Sequence, residues 1–245
     1  MSQSTPAGPV PIYVTNGSTR VKDQDVHTMV SAVAAQVQGH FAPAWQIPAN
    51  PVTYLAPGDP RPASGAVLTI VDKPDQPGVL GWHTEGAQDV IYGYVFAEPI
   101  LDNGGAVLTG ATYTVAATLS HEVLETIADP HVNLWVTGPS GTLISQEVCD
   151  PVENGSYEIN GVSVSNFVTP NWFDAQAASG APMDYLGRVS KPFQMDSGGY
   201  YVQVKQGKAS QVHGEEVPEW RRDTKSNPHS RAGHLATLEP LKRVT

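Results

Sequence analysis

The chain has 245 residues, of which 40% are hydrophobic and 16% charged, and its formal net charge is −10. This length allows one sizeable core, and the acidic balance argues against nucleic acid as a main partner. The single cysteine, Cys149, excludes an intrachain disulfide. Neither a signal peptide nor a membrane-spanning stretch is evident, so we expect no membrane partner and synthesis in the cytoplasm.

The first half of the chain contains four predicted strands and one predicted helix. Glycine, proline and asparagine mark the turns between them. A further segment, Gly78 to Gly86, is predicted as a loop or strand end that carries His83. In chain order the five elements are a strand at Pro11 to Thr15, a helix beginning at Asp23, and strands at Pro51 to Leu55, Ala66 to Asp72 and Asp89 to Ala97.

A second helix is predicted from Ala111 to Ala128. Its apolar residues recur every four positions from Val115 to Ile127 and form one buried stripe. At 100° per residue, His121 and Glu125 lie together on the other side, one turn apart. An imidazole and a carboxylate in this arrangement can share a metal ion.

The residue between them supplies a second chemical group. Glu122 follows His121 directly, so its carboxylate would lie beside the ion and could take a proton from a metal-bound water. This division of roles is that of the H-E-x-x-H signature of zinc peptidases, although Glu125 stands here in place of the second His. Glu122 is therefore the candidate catalytic base.

The charge pattern around this helix also favours a metal ion. Between Lys73 and Arg188 there are fourteen carboxylates and no lysine or arginine. Crowded carboxylates spread into water, protonate with a raised pKa, or gather around a cation. A solvated acidic face is the alternative to a metal site.

The second half of the chain is predicted to be rich in β-hairpins. One hairpin is expected around residues 138–141, a second around Asn160-Gly161, and a last strand at Tyr200 to Lys205. Apolar periodicity fades from His213 onward. We therefore expect one domain over residues 1–212 and an extended C-terminal arm over residues 213–245.

The motif H-E-V-L-E-T-I-A-D-P, followed by E-V-C-D, resembles a group of bacterial and phage-encoded zincin-like proteins. It is more distantly similar to the phosphate-induced (exordium-like) proteins. The resemblance implies an α+β, zincin-like fold: a mixed twisted sheet, an N-terminal helix, a metal-site helix and a hairpin-rich C-terminal half. It also implies a zinc site, and the residues that carry it are His121, Glu122, Glu125, Asp129, Pro130, Glu147 and Asp150.

The metzincin peptidases are a further point of resemblance. Their longer helix motif falls on His121, Glu122, Glu125, Ala128 and His131, and their later methionine turn falls on Met183 and Tyr185. Two helix positions differ, because Glu125 replaces a His and Ala128 replaces a Gly. A buried Met beside a packing Tyr is the simpler interpretation of the second match.

Three residues compete to complete the predicted metal site. Glu147 is preferred and Asp150 comes next, since both belong to the E-V-C-D element, while His131 would give a set with two His. Cys149 could ligate zinc but is expected to be a small buried residue. Zinc is the predicted cofactor, and oxygen-rich ligands would also admit calcium or manganese.

Two functions of different classes are consistent with these residues. The first is a zinc-dependent hydrolase, a peptidase by its motif, that binds a peptide or protein substrate along the strand Asp89 to Ala97. His83 could reach that substrate. The second is a catalytically inactive zincin-like module that contacts neighbouring subunits of a phage particle or other assembly through its arm. A metal-stabilised carbohydrate-binding protein is a third interpretation.

Overall fold

The computed structural model describes residues 9–60, 62–75, 78–87 and 90–215, and these form a mixed α+β fold. The expected α+β class is confirmed. No helix in these ranges is both long enough and apolar enough to cross a membrane. Residues 216–245, most of the predicted C-terminal arm, lie outside the described residues, so the predicted division at residue 213 stays a prediction.

Five strands in the first half of the chain form one sheet. They are β1 (Ile12–Asn16), β2 (Val52–Leu55), β3 (Ala66–Val71), β4 (Gly81–Glu85) and β5 (Ile91–Phe96). Their order is β2-β1-β3-β5-β4, and β4 alone runs antiparallel. In the central strand β3, buried residues alternate with half-buried ones, so one face of the sheet carries the core.

Four helices accompany this sheet. They are α1 (Asp23–Gln36), α2 (Ala42–Trp45), α3 (Ala97–Asp102) and α4 (Val115–Ala128). The two long helices, α1 and α4, contact each other; α1 packs on β1 and β2, and α4 packs on β3, β4 and β5. A π-helical turn joins α1 to α2.

Six strands follow α4 in the described residues up to position 215. They are β6 (Trp135–Thr137), β7 (Leu143–Ser145), β8 (Ser156–Ile159), β9 (Val162–Ser165), β10 (Tyr200–Lys205) and β11 (Lys208–His213). Four of them form an antiparallel sheet in the order β11-β10-β7-β6. The other two form a hairpin whose turn residues, Asn160 and Gly161, have φ values of 52° and 77°. This turn confirms the predicted Asn-Gly hairpin.

Helix α4 is covered from more than one side. Strand β9 packs on α4 and also on α1, while the first sheet covers another part of α4. Ten of its residues are buried, including the polar Ser120, His121, Glu122 and Glu125. The core is therefore continuous from the sheet through α4 to β9, and the polar side of this helix is enclosed as well as the apolar stripe.

Three details of the sequence prediction are wrong: where one helix begins, the type of one element, and the place of one strand in the sheet. Helix α4 begins at Val115 rather than Ala111, because the side chain of Thr114 caps it by accepting a hydrogen bond from the Ala117 backbone N–H at 2.9 Å. The segment around His83 is a full strand, β4, which takes the sheet edge. The strand predicted at Asp89 to Ala97 as the peptide-binding edge is β5, and it lies between β3 and β4.

Candidate metal centre

Helix α4 carries three ligand-type side chains near its middle, namely His121, Glu122 and Glu125. The Nε2 atom of His121 lies 3.1 Å from Oε2 of Glu125, as the one-turn spacing predicts. The other oxygen of Glu125, Oε1, accepts a hydrogen bond from the Cys149 backbone N–H at 3.1 Å. Glu125 is thus held at both oxygens.

A third side chain reaches this pair from the segment after β7. Oδ1 of Asp150 lies 3.2 Å from the same Nε2 atom of His121. Asp150 begins a short 3-10 turn that ends at Val152, and its side chain is buried. One imidazole nitrogen therefore faces two carboxylates that come from distant parts of the chain.

The edge strand β4 approaches Glu122 from the other side. Nδ1 of His83 lies 3.5 Å from Oε2 of Glu122, and the second ring nitrogen, Nε2, lies 3.1 Å from the backbone oxygen of Asp129. Gly81, in the same strand, lies against Glu122: a Cβ atom at position 81 would be 2.6 Å from Oε1. A side chain at position 81 would displace the candidate base.

These groups line one cleft with a volume of about 120 Å³. Strands β10 and β11 form its far wall with Tyr200, Val202 and Gln211, and Tyr113 lies before α4. No lysine or arginine lines the cleft in the described part of the chain. The cleft is therefore acidic and has no permanent cation within it.

Four of the five acidic side chains that line the cleft are buried, and Glu153 is half-buried. Relative exposure is 4% for Glu122, 5% for Glu125, 7% for Glu147 and 3% for Asp150. A solvated acidic face, the alternative considered from the sequence, does not describe these four residues. Burying several carboxylates is costly unless they are paired, protonated or bound to a cation.

Protonation in the absence of metal follows from this burial. Burial and the charges of Asp150 and Glu147 raise the pKa of Glu125. Burial opposes protonation of His83, yet Glu122 and the other carboxylates outweigh it and raise the pKa of this His to about 9. His121 shows the same balance, and its pKa lies well above the usual value. Without metal, the cluster retains protons that the same groups would lose in water.

Two distances around His121 suit the spacing of ligands at a metal ion. Bonds of about 2.0–2.2 Å in a tetrahedral zinc site place neighbouring ligand atoms about 3.4 Å apart. The distances from His121 to Glu125 and Asp150, 3.1 and 3.2 Å, are close to this value. Oδ1 of Asp150 is buried and, apart from its contact with His121, has no hydrogen bond from the described residues, so a bound cation would satisfy it.

Comparison with models of protein families, with curated proteins and with solved structures returned no match.

The competing third ligands occupy different places. Asp150 contacts His121, whereas Glu147, the preferred candidate from the sequence, lines the same cleft and acts on the pKa of both His83 and Glu125. His131 is turned to Glu85, with 3.0 Å between its Nδ1 and Oε2, and its side chain is 43% exposed. The observed contacts favour Asp150 over both alternatives.

Two weaker sequence-based candidates for the site are Cys149 and the Met-x-Tyr pair. Cys149 is fully buried and, together with His121 and Glu125, offers ligand atoms that lie within 4.8 Å of one another. Met183 is buried in the core, and Tyr185 stacks on His40 with 4.9 Å between the ring centroids. This pair packs in the way that the simpler interpretation of the Met-x-Tyr match describes.

Two walls of the site are difficult to predict from the sequence. The sequence predicts a loop or strand end at His83, although Trp82 and Thr84 beside it are strong strand formers. The flanking glycines obscured that signal. The wall from β10 and β11 could not be found, because nothing in the sequence pairs Tyr200 or Gln211 with a helix so far away.

Proposed function

We propose that this protein is a metal-dependent hydrolase with a zincin-like fold, and that it cleaves peptides or proteins. One observation carries the proposal: in a buried acidic cleft, a single nitrogen of His121 faces Glu125 at 3.1 Å and Asp150 at 3.2 Å. Glu122 lies at the adjoining position of the same helix. These are the ligands and the base that hydrolysis at a metal requires.

The fold supports the zincin-like assignment. The resemblance implies a mixed sheet and a metal-site helix, and the first sheet and α4 are consistent with both. The edge strand that packs on α4 is β4, and it takes the place that the sequence predicts for the strand Asp89 to Ala97. In the described part of the chain, β4 pairs with β5 alone. An extended peptide would add to the outer side of β4 by strand addition and pass in front of Glu122.

Each residue has a separate task in this proposal. His121, Glu125 and Asp150 would hold zinc, which supplies a Lewis acid for the substrate carbonyl and a more acidic bound water. Glu122 accepts the proton of the attacking water and returns it to the leaving amine. Gly81 and His83 fix the position of Glu122 from β4. The acidic walls favour substrates whose side chains are neutral or basic.

A catalytically inactive, metal-stabilised module is the second candidate. Two carboxylates and one imidazole form a more anionic ligand set than two imidazoles and one carboxylate, and this weakens zinc as a Lewis acid. Such a set also accepts calcium or manganese. In this case the bound ion stabilises the fold, and the protein acts as a subunit of a larger assembly such as a virion.

Metal analysis combined with peptide turnover distinguishes the two candidates. Wild type and Glu122→Gln are stripped with a chelator, reloaded with one equivalent of zinc and assayed on a fluorogenic casein. The hydrolase predicts that both retain one zinc per chain and that the variant loses turnover by about 100-fold or more. His131→Ala, outside the cleft, is the control and should behave as wild type. Retained zinc with no turnover in wild type supports the module, and no zinc in wild type contradicts both candidates.

A further inference from the structure

The cleft contains a second group of ligand-type side chains next to the first. His83, Glu122 and Glu125 offer ligand atoms that all lie within 4.8 Å of one another. Glu125 belongs to this group and also to the group around His121. A carboxylate shared by two such groups can bridge two cations, one at each of its oxygens.

The orientation of His83 suits a ligand. The Asp129 backbone oxygen can only accept a hydrogen bond, so at 3.1 Å it places the ring hydrogen of His83 on Nε2. A backbone carbonyl that accepts from the outer ring nitrogen is the usual support of a metal-bound His. In the neutral ring the lone pair is then on Nδ1, which faces Glu122.

The gap between His83 and Glu122 also suits a shared ion. Their facing atoms, Nδ1 and Oε2, are 3.5 Å apart, which is long for a hydrogen bond and close to the spacing of about 3.4 Å between two ligands of one tetrahedral ion. Oε2 of Glu122 is buried and has no hydrogen bond from the described residues. This buried oxygen points to a cation that is independent of the contacts at His121.

Charge balance favours two ions over one. The four buried carboxylates of the cleft, Glu122, Glu125, Glu147 and Asp150, carry four negative charges when all are ionised. The half-buried Glu153 also lines the cleft, and no lysine or arginine lines it in the described ranges. One divalent cation supplies only two positive charges against these four. Two divalent cations with neutral His ligands balance all four, which is the state that burial favours.

We infer that the cleft binds two divalent cations bridged by Glu125: the first at His121 and Asp150, the second at His83 and Glu122. The inference rests on the proposed function for the first ion and extends it. Occupation of the second position makes Glu122 a ligand, so it can no longer serve as the base. The one-ion form is then the active hydrolase, and excess metal suppresses turnover.

Zinc stoichiometry tests this inference without any assay of activity. Chelator-stripped protein is titrated with zinc, and bound metal is measured by equilibrium dialysis and mass spectrometry. Wild type and the control His131→Ala should bind two zinc ions per chain, and His83→Ala should bind one. Glu122→Gln, which keeps the size of the side chain, should also bind one zinc ion. It tests the second position independently if the His83→Ala variant does not fold.

A spectroscopic measurement locates the second ion. In two-metal sites the ions lie about 3.5–4 Å apart, so two bound Mn²⁺ ions should give an exchange-coupled electron paramagnetic resonance spectrum in wild type. The His83→Ala spectrum should be that of an isolated ion. If turnover is present, it should fall in wild type as the second ion binds and stay constant in this variant.

Three outcomes overturn the inference. Saturation of wild type at one ion, or a second ion bound more weakly than about 1 mM, removes the two-cation site and leaves the proposed function intact. Two ions retained by both His83→Ala and Glu122→Gln place the second ion elsewhere. A wild type that binds no zinc refutes the proposed function together with this inference.

Discussion

Gly81→Ala isolates the contribution of Glu122 geometry, because it alters neither the ligands of the first metal ion nor the charge of the cleft. Gly81 does not adopt a positive φ, so alanine fits the backbone of β4. The added Cβ would lie 2.6 Å from Oε1, 2.9 Å from Cγ and 3.0 Å from the carboxyl carbon of Glu122. Ordinary contact begins near 3.4 Å, so the carboxylate must move by about 0.8 Å.

The size of this movement sets the expected effect. Misplacing a reacting group by about 1 Å can reduce turnover by about 100-fold. Overpacking a buried site costs about 1–3 kcal/mol of the free energy of unfolding. We expect turnover at one equivalent of zinc to fall by one to two orders of magnitude, binding of the first zinc to persist, and binding of the second to weaken.

The assay compares Gly81→Ala with Gly39→Ala. Apart from its chain neighbours and its own helical backbone, no described atom lies within 4 Å of a Cβ built at Gly39. Gly39 also has no positive φ, so this variant controls for the glycine substitution itself. Urea denaturation, zinc titration and casein turnover are measured on both. Equal turnover and equal zinc stoichiometry in the two variants would show that the contact between Gly81 and Glu122 has no role in the site.

Three further predictions concern stability and reactivity. Gln36→Leu should lower the free energy of unfolding by about 2–4 kcal/mol in urea, because it removes the buried hydrogen bond from Ser120 Oγ to Gln36 Oε1 at 2.6 Å. In the presence of chelator, thermal stability should fall as pH rises from about 5 to 9, because folding raises the pKa of Glu125 and raises the pKa of His83 to about 9. Zinc should reverse this dependence on pH, because the side chains that bind it must be deprotonated. Cys149, fully buried with a raised pKa, should react with a thiol reagent only after unfolding, and a fast reaction in the native protein would contradict its burial.

Local sequence patterns were sufficient to predict much of the fold. The periodicity from Val115 to Ile127 identified α4 because a buried helix must repeat its apolar residues every three or four positions. The Asn160-Gly161 turn fixed the second hairpin, since few residue pairs accept two positive φ values. The pairing of His121 with Glu125 followed from helix geometry alone.

Long-range placement could not be predicted in the same way. Strand β4 is short, and the glycines at its ends resemble a loop, so its position at the sheet edge depends on pairing with β5. That pairing brings His83 to Glu122. Asp150 reaches His121 because the chain after β7 returns to the helix, and no spacing in the sequence distinguishes it from Glu147. The predicted preference between these two carboxylates therefore rested on resemblance.

Helix α4 is buried on its polar side as well as on its apolar side, so its buried carboxylates are costly to the stability of the fold. A helix that served only to pack would stabilise the fold more with apolar residues at the positions of Glu122 and Glu125, since burying each carboxylate requires compensation. Loss of metal should therefore leave a fold that retains protons and is less stable at high pH. Such a local cost is expected where a site is maintained for binding rather than for stability. In the proposed hydrolase, the cation that relieves this cost would also activate the water for which Glu122 is the base, so metal content and activity must be measured on the same preparation.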